Sequence, residues 1–320
     1  MFNREIINKQ KIIITDGMPS SGKHLVGDLI SSLPKVDPLT LNHHIEHILS
    51  LNNLGILNNE ISEYLLKTNY NVFFNDSLLL RNSNFRKSDK TSLQKNVKFK
   101  LLIKRLNPNE DQVRKKYKDK LICHYCLHFA AISKRILFQT FKDKLIYVQI
   151  CRSPITLTMI NRIANWTIEI ENPKSRDGHI KFFDKKFKKN LPYFIKKESK
   201  EYLLANKYER SIMIIEKNLN KMIFNKKTSR KNKSIEIFVP FENLLKNPKK
   251  YLNEVSGHIN SKIDKFAIKS LKKNNVPRVY DLKNEKTKTL KFLKGKIEKK
   301  YYKKLLNLQK FYEQQILNKF

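Results

Sequence analysis

Runs of consecutive apolar residues alternate along this chain with stretches in which apolar residues recur every three or four positions. That alternation is the signature of buried strands interleaved with helices. The first run, Lys11-Ile12-Ile13-Ile14-Thr15-Asp16, is β-branched and bounded by Gly17 and Pro19, so it reads as a buried strand entering a tight loop. Leu25, Val26, Leu29, Ile30 and Leu33 then keep helical spacing up to Pro34. The Asn-rich stretch from Leu39 to Lys67 reads as helical, residues 71–80 as another apolar run with Val72, Phe73 and Phe74 in a strand, and residues 82–100 as a polar loop. Leu101-Leu102-Ile103 and Leu121-Ile122-Cys123 read as short strands, and residues 129–141 as a helix. The strongest later strand, residues 145–151, ends at Arg152-Ser153-Pro154, where the proline sets a first helical turn continued by Leu157, Ile160, Ile163 and Ala164.

Residues 172–200 keep no period and are strongly basic, which predicts an insert or a lid. Helix returns over residues 211–224, the polar connection 228–234 leads into a strand over 235–239, and helices are expected over 244–259 and 296–320. Strands alternating with helices predict a three-layer α/β/α architecture, with a central, mostly parallel sheet covered on both faces. The whole of residues 1–320 reads as a single domain with helical insertions and no internal repeat.

Composition narrows the class. With 40% apolar and 10% aromatic residues, and only 7 Gly and 10 Pro in 320 residues, the chain has the makings of a packed core and none of the bias of a disordered or collagenous one. Its 66 Lys and Arg against 29 Asp and Glu give a net charge of +37, which attracts polyanions and phosphorylated ligands. The lysines are spread evenly among abundant Asn and Ile, a pattern that base composition explains, and no nucleic-acid-binding motif accompanies them, so no specific nucleic-acid partner is expected. Cys123, Cys126 and Cys151 are too few for a disulfide framework and fit a reducing compartment. Cys123 and Cys126 form a CxxC with His124 inside it and His128 beyond, but no second ligand pair follows at zinc-site spacing, so no metal is expected. No leader-like segment and no apolar run of membrane-spanning length is present, which predicts a cytoplasmic protein.

The chemistry concentrates in Gly17-Met18-Pro19-Ser20-Ser21-Gly22-Lys23-His24, set between a strand and a helix. In that context a glycine-bounded loop of P-loop type presents its backbone N–H groups, with those of the helix N-terminus, to anionic oxygens. The spacing is GxxxxGK, but His24 stands where a Ser or Thr would ligate magnesium, so the magnesium arm is missing. Arg152 falls at the carboxyl edge of the predicted sheet, where an arginine can hold a phosphate bidentately. Thr156 and Thr158 follow one turn into the next helix, as hydroxyl donors or as partners of their own backbone.

These residues resemble the sulfotransferase family that uses 3'-phosphoadenosine 5'-phosphosulfate. Its first signature, a strand, a PKSGTT-like loop and a helix, stands here as GMPSSGKH followed by LVGDLISSLPKV; its second, a strand and R-x-P before a helix, stands as LIYVQICRSPITLTMINRIANW. A third element is similar to IFVPFENLLKNPKKYLNEVSGHI, and the lysine-rich tail resembles the closing helix, so the likeness spans much of residues 10–260 in the family's order. Two positions depart from it: Ser20 replaces the loop's usual basic residue, and Ile160 stands eight residues after Arg152, where the family has a serine.

The resemblance implies a co-substrate, 3'-phosphoadenosine 5'-phosphosulfate, and no metal. Pro19, Ser20, Ser21, Gly22, Lys23 and His24 would hold its 5'-phosphosulfate and Arg152 its 3'-phosphate, with the second 3'-phosphate contact, at the Ile160 position, lost for want of a hydroxyl or supplied by Thr156, Thr158 or Asn161. Arg278 would close over the donor. Lys23 would oppose charge on the leaving oxygen, and His124, at an expected strand end, would be the catalytic base, with His128 and His24 as rivals. His43, His44, Glu46 and His47 would line the site of a hydroxyl- or amine-bearing acceptor, a carbohydrate or small metabolite. Two other readings compete: a P-loop kinase using Mg-ATP, and a non-catalytic polyanion-binding protein.

Overall fold

The computed structural model describes residues 4–89, 91–159, 161–175, 178–224 and 231–320. Strand β1 (Ile12–Gly17) leads into helix α1 (Lys23–Ser31), then β2 (Thr40–Leu41), α2 (His43–Asn53), α3 (Asn59–Leu78), α4 (Phe99–Leu102) and α5 (Glu110–Tyr117). Next come β3 (Cys123–His128), α6 (Arg135–Phe141), β4 (Leu145–Cys151), α7 (Pro154–Met159) and α8 (Asn161–Glu169). A hairpin of β5 (Lys181–Asp184) and β6 (Lys189–Pro192) precedes α9 (Ser199–Leu204) and α10 (Lys207–Phe224). After β7 (Ile235–Pro240) the chain is helical: α11 (Phe241–Lys246), α12 (Pro248–His258), α13 (Lys265–Lys273), α14 (Leu282–Leu293) and α15 (Lys299–Tyr312).

Strands β2, β3, β1, β4 and β7 lie in that order in one sheet, and every pairing is parallel. Side chains alternate between its faces. Ile13, Val148 and Val239 pack with Val26 and Leu29 of α1 and with Leu252 of α12, whereas Ile12, Ile14 and Tyr147 pack on the other side with Tyr70 and Phe74 of α3 and Phe138 of α6. The chain is thus an α/β protein of three layers, as expected. A third core, built from α8, α10 and α15 around Trp166, Ile212 and Leu305, also takes in Met18 and Cys151 from the carboxyl edge.

Several local expectations are corrected. Residues 71–80 are not a strand but the second half of α3 and the turn after it, because Leu66, Tyr70, Phe74 and Leu78, four apart, are buried while Val72 is 50% exposed. Leu101-Leu102-Ile103 is also helical, a short apolar run whose Leu101 faces solvent. The strand expected to finish at Cys123 begins there and runs to His128. Its polar residues disguise it: His124 is buried in mid-sheet because Thr15 Oγ1 (2.8 Å) and Ser31 Oγ (3.0 Å) satisfy both ring nitrogens. The segment 172–200 holds the β5–β6 hairpin and a 3₁₀ turn, and buries Leu191, Tyr193 and Ile195 in the third core. Ile160, residues 176–177 of the insert and residues 228–230 of the connection lie outside the described residues.

Candidate functional site

Because all five strands are parallel, their carboxyl ends share one edge. The register sets Gly17 opposite His128, Asp16 opposite Gln149, and Cys151 opposite Pro240, so the segments after these positions are neighbours. The chain leaves β1 toward β2 and leaves β3 toward β4, on opposite sides. Ligands of open α/β sheets bind where such connections diverge.

The loop after β1 turns tightly. Ser21 N–H donates to the Met18 carbonyl at 3.1 Å, Ser20 takes φ +65°, and Gly22 takes φ +101° as the N-cap of α1. Only glycine fits at position 22, since a Cβ there would lie 2.3 Å from Cδ2 of Phe241. Having no side chain, Gly22 leaves the first-turn N–H groups of α1 uncapped by itself, an arrangement suited to an anion. Lys23 is 2% exposed and donates from Nζ to the Gly17 carbonyl at 3.0 Å, so its ammonium lies within the loop. His24 turns its side chain toward a crevice shared with Asp28, Pro38 and Thr91.

Beneath the loop, Asp16 ties β1 to its neighbours, accepting from Ala130 N–H (3.1 Å), Ala131 N–H (2.8 Å) and the Tyr147 hydroxyl (2.6 Å). Burial raises its pKa, opposed by those bonds and by Lys23. Beside the loop, Arg152 donates from Nη1 to the Ser20 carbonyl at 3.1 Å, and its guanidinium lies 4.6 Å from the centre of the Phe241 ring. The Tyr280 hydroxyl lies 3.5 Å from its Nη2. Three buried polar groups around one small cavity lack a hydrogen-bond partner among the described residues: Ser21 Oγ, Arg152 Nε and both ends of the Asn218 amide. Buried polar atoms are rarely left so, and the cavity of about 10 Å³ that these line has room for no more than a single water.

The threonines expected near Arg152 bond locally, Thr156 Oγ1 to the Ser153 carbonyl (3.0 Å) and Thr158 Oγ1 to the Pro154 carbonyl (2.9 Å). Arg278 is exposed and donates from Nη1 to the Asn274 carbonyl at 3.4 Å; from its segment it is Tyr280 that reaches Arg152.

At the end of β3, His128 meets α2. Glu46 Oε1 accepts from His128 N–H at 2.6 Å and lies 2.9 Å from His128 Nδ1, while Oε2 lies 2.8 Å from His43 Nδ1. Burial acts to raise the Glu46 pKa, but the hydrogen bonds from His128 and His43 outweigh it and hold the carboxyl well below its usual range. Burial, then the Lys23 ammonium, push His128 down to about 3 against the pull of Glu46, so its imidazole is neutral at physiological pH. His124 is likewise pushed to about 3, by burial and then Lys98. The two differ in reach: His124 lies opposite Ile13 in mid-sheet, and His128 opposite Gly17 where the loop begins. His179 and Asn218 belong to no motif and escape sequence reasoning; Phe241 lies within the IFVPFENLL element and Tyr280 two residues after Arg278, but neither side chain was singled out.

No protein family matches the sequence, and no curated protein matches it. Among solved structures, the sulfotransferase domain of an olefin synthase from Synechococcus PCC 7002 aligns with 96% of this chain and 95% of its own, at 11% identity and a TM-score of 0.44. A sulfotransferase from Mycobacterium avium aligns with 92% of this chain and 78% of its own, at 8% identity and a TM-score of 0.40. A sulfotransferase domain of the curacin biosynthetic pathway aligns with 90% and 98%, at 12% identity and a TM-score of 0.34. Likenesses at this level carry no argument, and the architecture rests on the parallel sheet, its register and the loop of β1.

Proposed function

We propose that this protein is a sulfotransferase that moves a sulfuryl group from 3'-phosphoadenosine 5'-phosphosulfate to an acceptor hydroxyl. The observation that carries the reading is the meeting of two phosphate-type groups at one edge of the sheet: the Gly17–His24 loop enclosing Lys23, and Arg152 held against its Ser20 carbonyl.

In this reading the N–H groups of residues 20–24 hold the 5'-phosphosulfate and Arg152 holds the 3'-phosphate. The acceptor oxygen attacks sulfur in line, the bond from sulfur to the 5'-phosphate oxygen breaks, and adenosine 3',5'-bisphosphate leaves. Lys23 opposes the charge that grows on the departing oxygen. The proton of the acceptor passes to His128 rather than to His124, because His128 stands at the loop, opposite Gly17, whereas His124 is enclosed in mid-sheet, and Glu46 stabilises the imidazolium as it forms. Glu46 therefore does for His128 what a buried carboxylate does in other base dyads: it fixes the ring and its tautomer.

Calorimetric titration tests the donor site. Adenosine 3',5'-bisphosphate is expected to bind without magnesium and in preference to AMP. The Arg152→Ala variant is expected to lose most of that preference, roughly ten- to hundredfold for a charge-assisted contact of about 1.5–3 kcal/mol. A preference for Mg-ATP transfers the loop to a kinase, and salt-sensitive binding of unrelated polyanions with no nucleotide binding transfers the protein to the polyanion-binding class.

A further inference from the structure

Three imidazoles, those of His43, His128 and His179, converge around the Glu46 carboxylate at the edge of the sheet, and the transfer reaction described above uses one of them. Glu46 projects from α2 into a buried position, His128 ends β3, and His179 arrives from the segment before the β5–β6 hairpin. A ligand-type atom from each of these three lies within 4.8 Å of the other two. We propose that Glu46, His128 and His179 form a binding site for a single divalent transition-metal ion of the Zn²⁺ or Co²⁺ type.

Geometry favours the ion. Ligands about 2.0–2.2 Å from a tetrahedral ion lie roughly 3.3–3.5 Å apart. Glu46 Oε1 and His128 Nδ1, now 2.9 Å apart, need to open by only about half an ångström to admit it, and His179 closes by a little more than an ångström at most. The donor set, two imidazoles and one carboxylate, is the set that borderline metals take in sites retaining an open position.

The surroundings are built as ligand-orienting shells are built. His43 Nδ1 lies 2.8 Å from the second oxygen of Glu46, fixing the carboxylate. His47 Nε2 lies 2.6 Å from the Gly178 carbonyl, which holds the segment carrying His179 against α2. The His179 ring packs edge-on against His128, Phe129 and Trp166 at 5.5–5.7 Å between ring centres, so three aromatic neighbours set its orientation.

Coordination through His128 Nδ1 places its proton on Nε2 and removes the lone pair that a base needs. On the transferase reading, therefore, the metal-loaded protein is silenced, and the metal is an inhibitor rather than a cofactor.

The test is a titration of the chelator-stripped full chain with Co²⁺, read by the visible absorption of the bound ion, with Zn²⁺ as competitor. One ion per chain is expected. Because second-shell changes alone cost about 10–100-fold in metal affinity, removal of a ligand in His179→Ala or Glu46→Gln is expected to cost at least that, and His43→Ala about tenfold. His258→Ala, at the exposed end of α12, leaves binding unchanged. No saturable absorption change, or undiminished binding by His179→Ala, overturns the site; if Glu46→Gln does not fold, His179→Ala on its loop decides. Bisphosphate titration of the same samples separates the two proposals: metal uptake without bisphosphate binding overturns the transferase and keeps the metal site, and the converse overturns the metal site alone.

Discussion

The conformation of the loop after β1 can be put to a quantitative test with three glycines that differ in one respect at a time. Gly22 has a left-handed φ of +101° and no room for a methyl group, Gly55 has a left-handed φ of +74° with nothing within 4 Å of the added Cβ, and Gly257 lies in α12 with open space around it and no such φ. An L-residue in the left-handed region costs about 1–2 kcal/mol, which is the whole expected loss for Gly55→Ala. In Gly22→Ala the new Cβ also meets Phe241 at 2.3 and 2.5 Å. That ring is pinned between the Arg152 guanidinium and Tyr280, so it yields little, and overpacking of this kind adds about 1–3 kcal/mol. Gly22→Ala should therefore cost about 2–5 kcal/mol in all, while Gly257→Ala gains about 0.5–1 kcal/mol from helix propensity. Urea denaturation at an unchanged slope measures all three, and bisphosphate titration reports the loop itself. A Gly22→Ala loss no larger than that of Gly55→Ala would refute the argument that Phe241 dictates glycine there.

Two further outcomes follow from the histidines of β3. His128→Asn is expected to lower turnover by about 10²–10⁴-fold, the usual worth of a general base, with bisphosphate affinity little changed; steady-state rates and calorimetry check it, and unchanged turnover would move the base elsewhere. His124, pushed from 6.5 to about 3 by burial, keeps the folded chain unprotonated there while the unfolded chain takes up a proton below 6.5, so this group withdraws stability as pH falls from 6.5 toward 3. Asp16 and Glu242, whose pKa values are raised by burial, act in the opposite sense, so the variant is compared with the wild type at each pH. Urea midpoints of His124→Asn between pH 6 and 4 should show a dependence shallower by about 1.4 kcal/mol per pH unit, and equal slopes would show that His124 is protonated in the fold.

The parts of the fold legible in the sequence are those where burial alone chose the residues. The strands β1, β4 and β7 lie inside the parallel sheet or pair along it, so their apolar runs stand out, and the Gly and Pro after β1 punctuate the turn. Strand β3 is as deeply buried, yet it spells Cys-His-Tyr-Cys-Leu-His, because hydroxyls from β1 and α1 satisfy the His124 ring and a carboxylate from α2 meets His128. Partners more than 80 residues away in sequence made those residues compatible with a strand, and no local window contains them. The misreading of α3 has another cause: Val72, Phe73 and Phe74 are consecutive and β-prone, and only the four-residue spacing of Tyr70, Phe74 and Leu78 shows which face is buried.

The site divides along the same line. The places of Lys23 and Arg152 were legible because Arg152 directly follows β4 and Lys23 closes the short loop after β1, and in a parallel sheet a strand end is already a position in space. His124 was expected at a strand end for the converse reason: with β3 unrecognised past Cys123, nothing in the chain said that His128, not His124, lies opposite Gly17. Glu46 stood in a histidine-rich helix with several equivalent neighbours, and what singles it out is burial, since it is 4% exposed while His43 beside it is 46% exposed. A carboxylate so enclosed is costly unless charged or polar donors surround it, and His43 and His128 supply them from two elements. The cost explains the arrangement: Glu46 and His128 are each expensive to bury alone, and together they leave a charged acceptor and a neutral imidazole beside the start of the loop after β1.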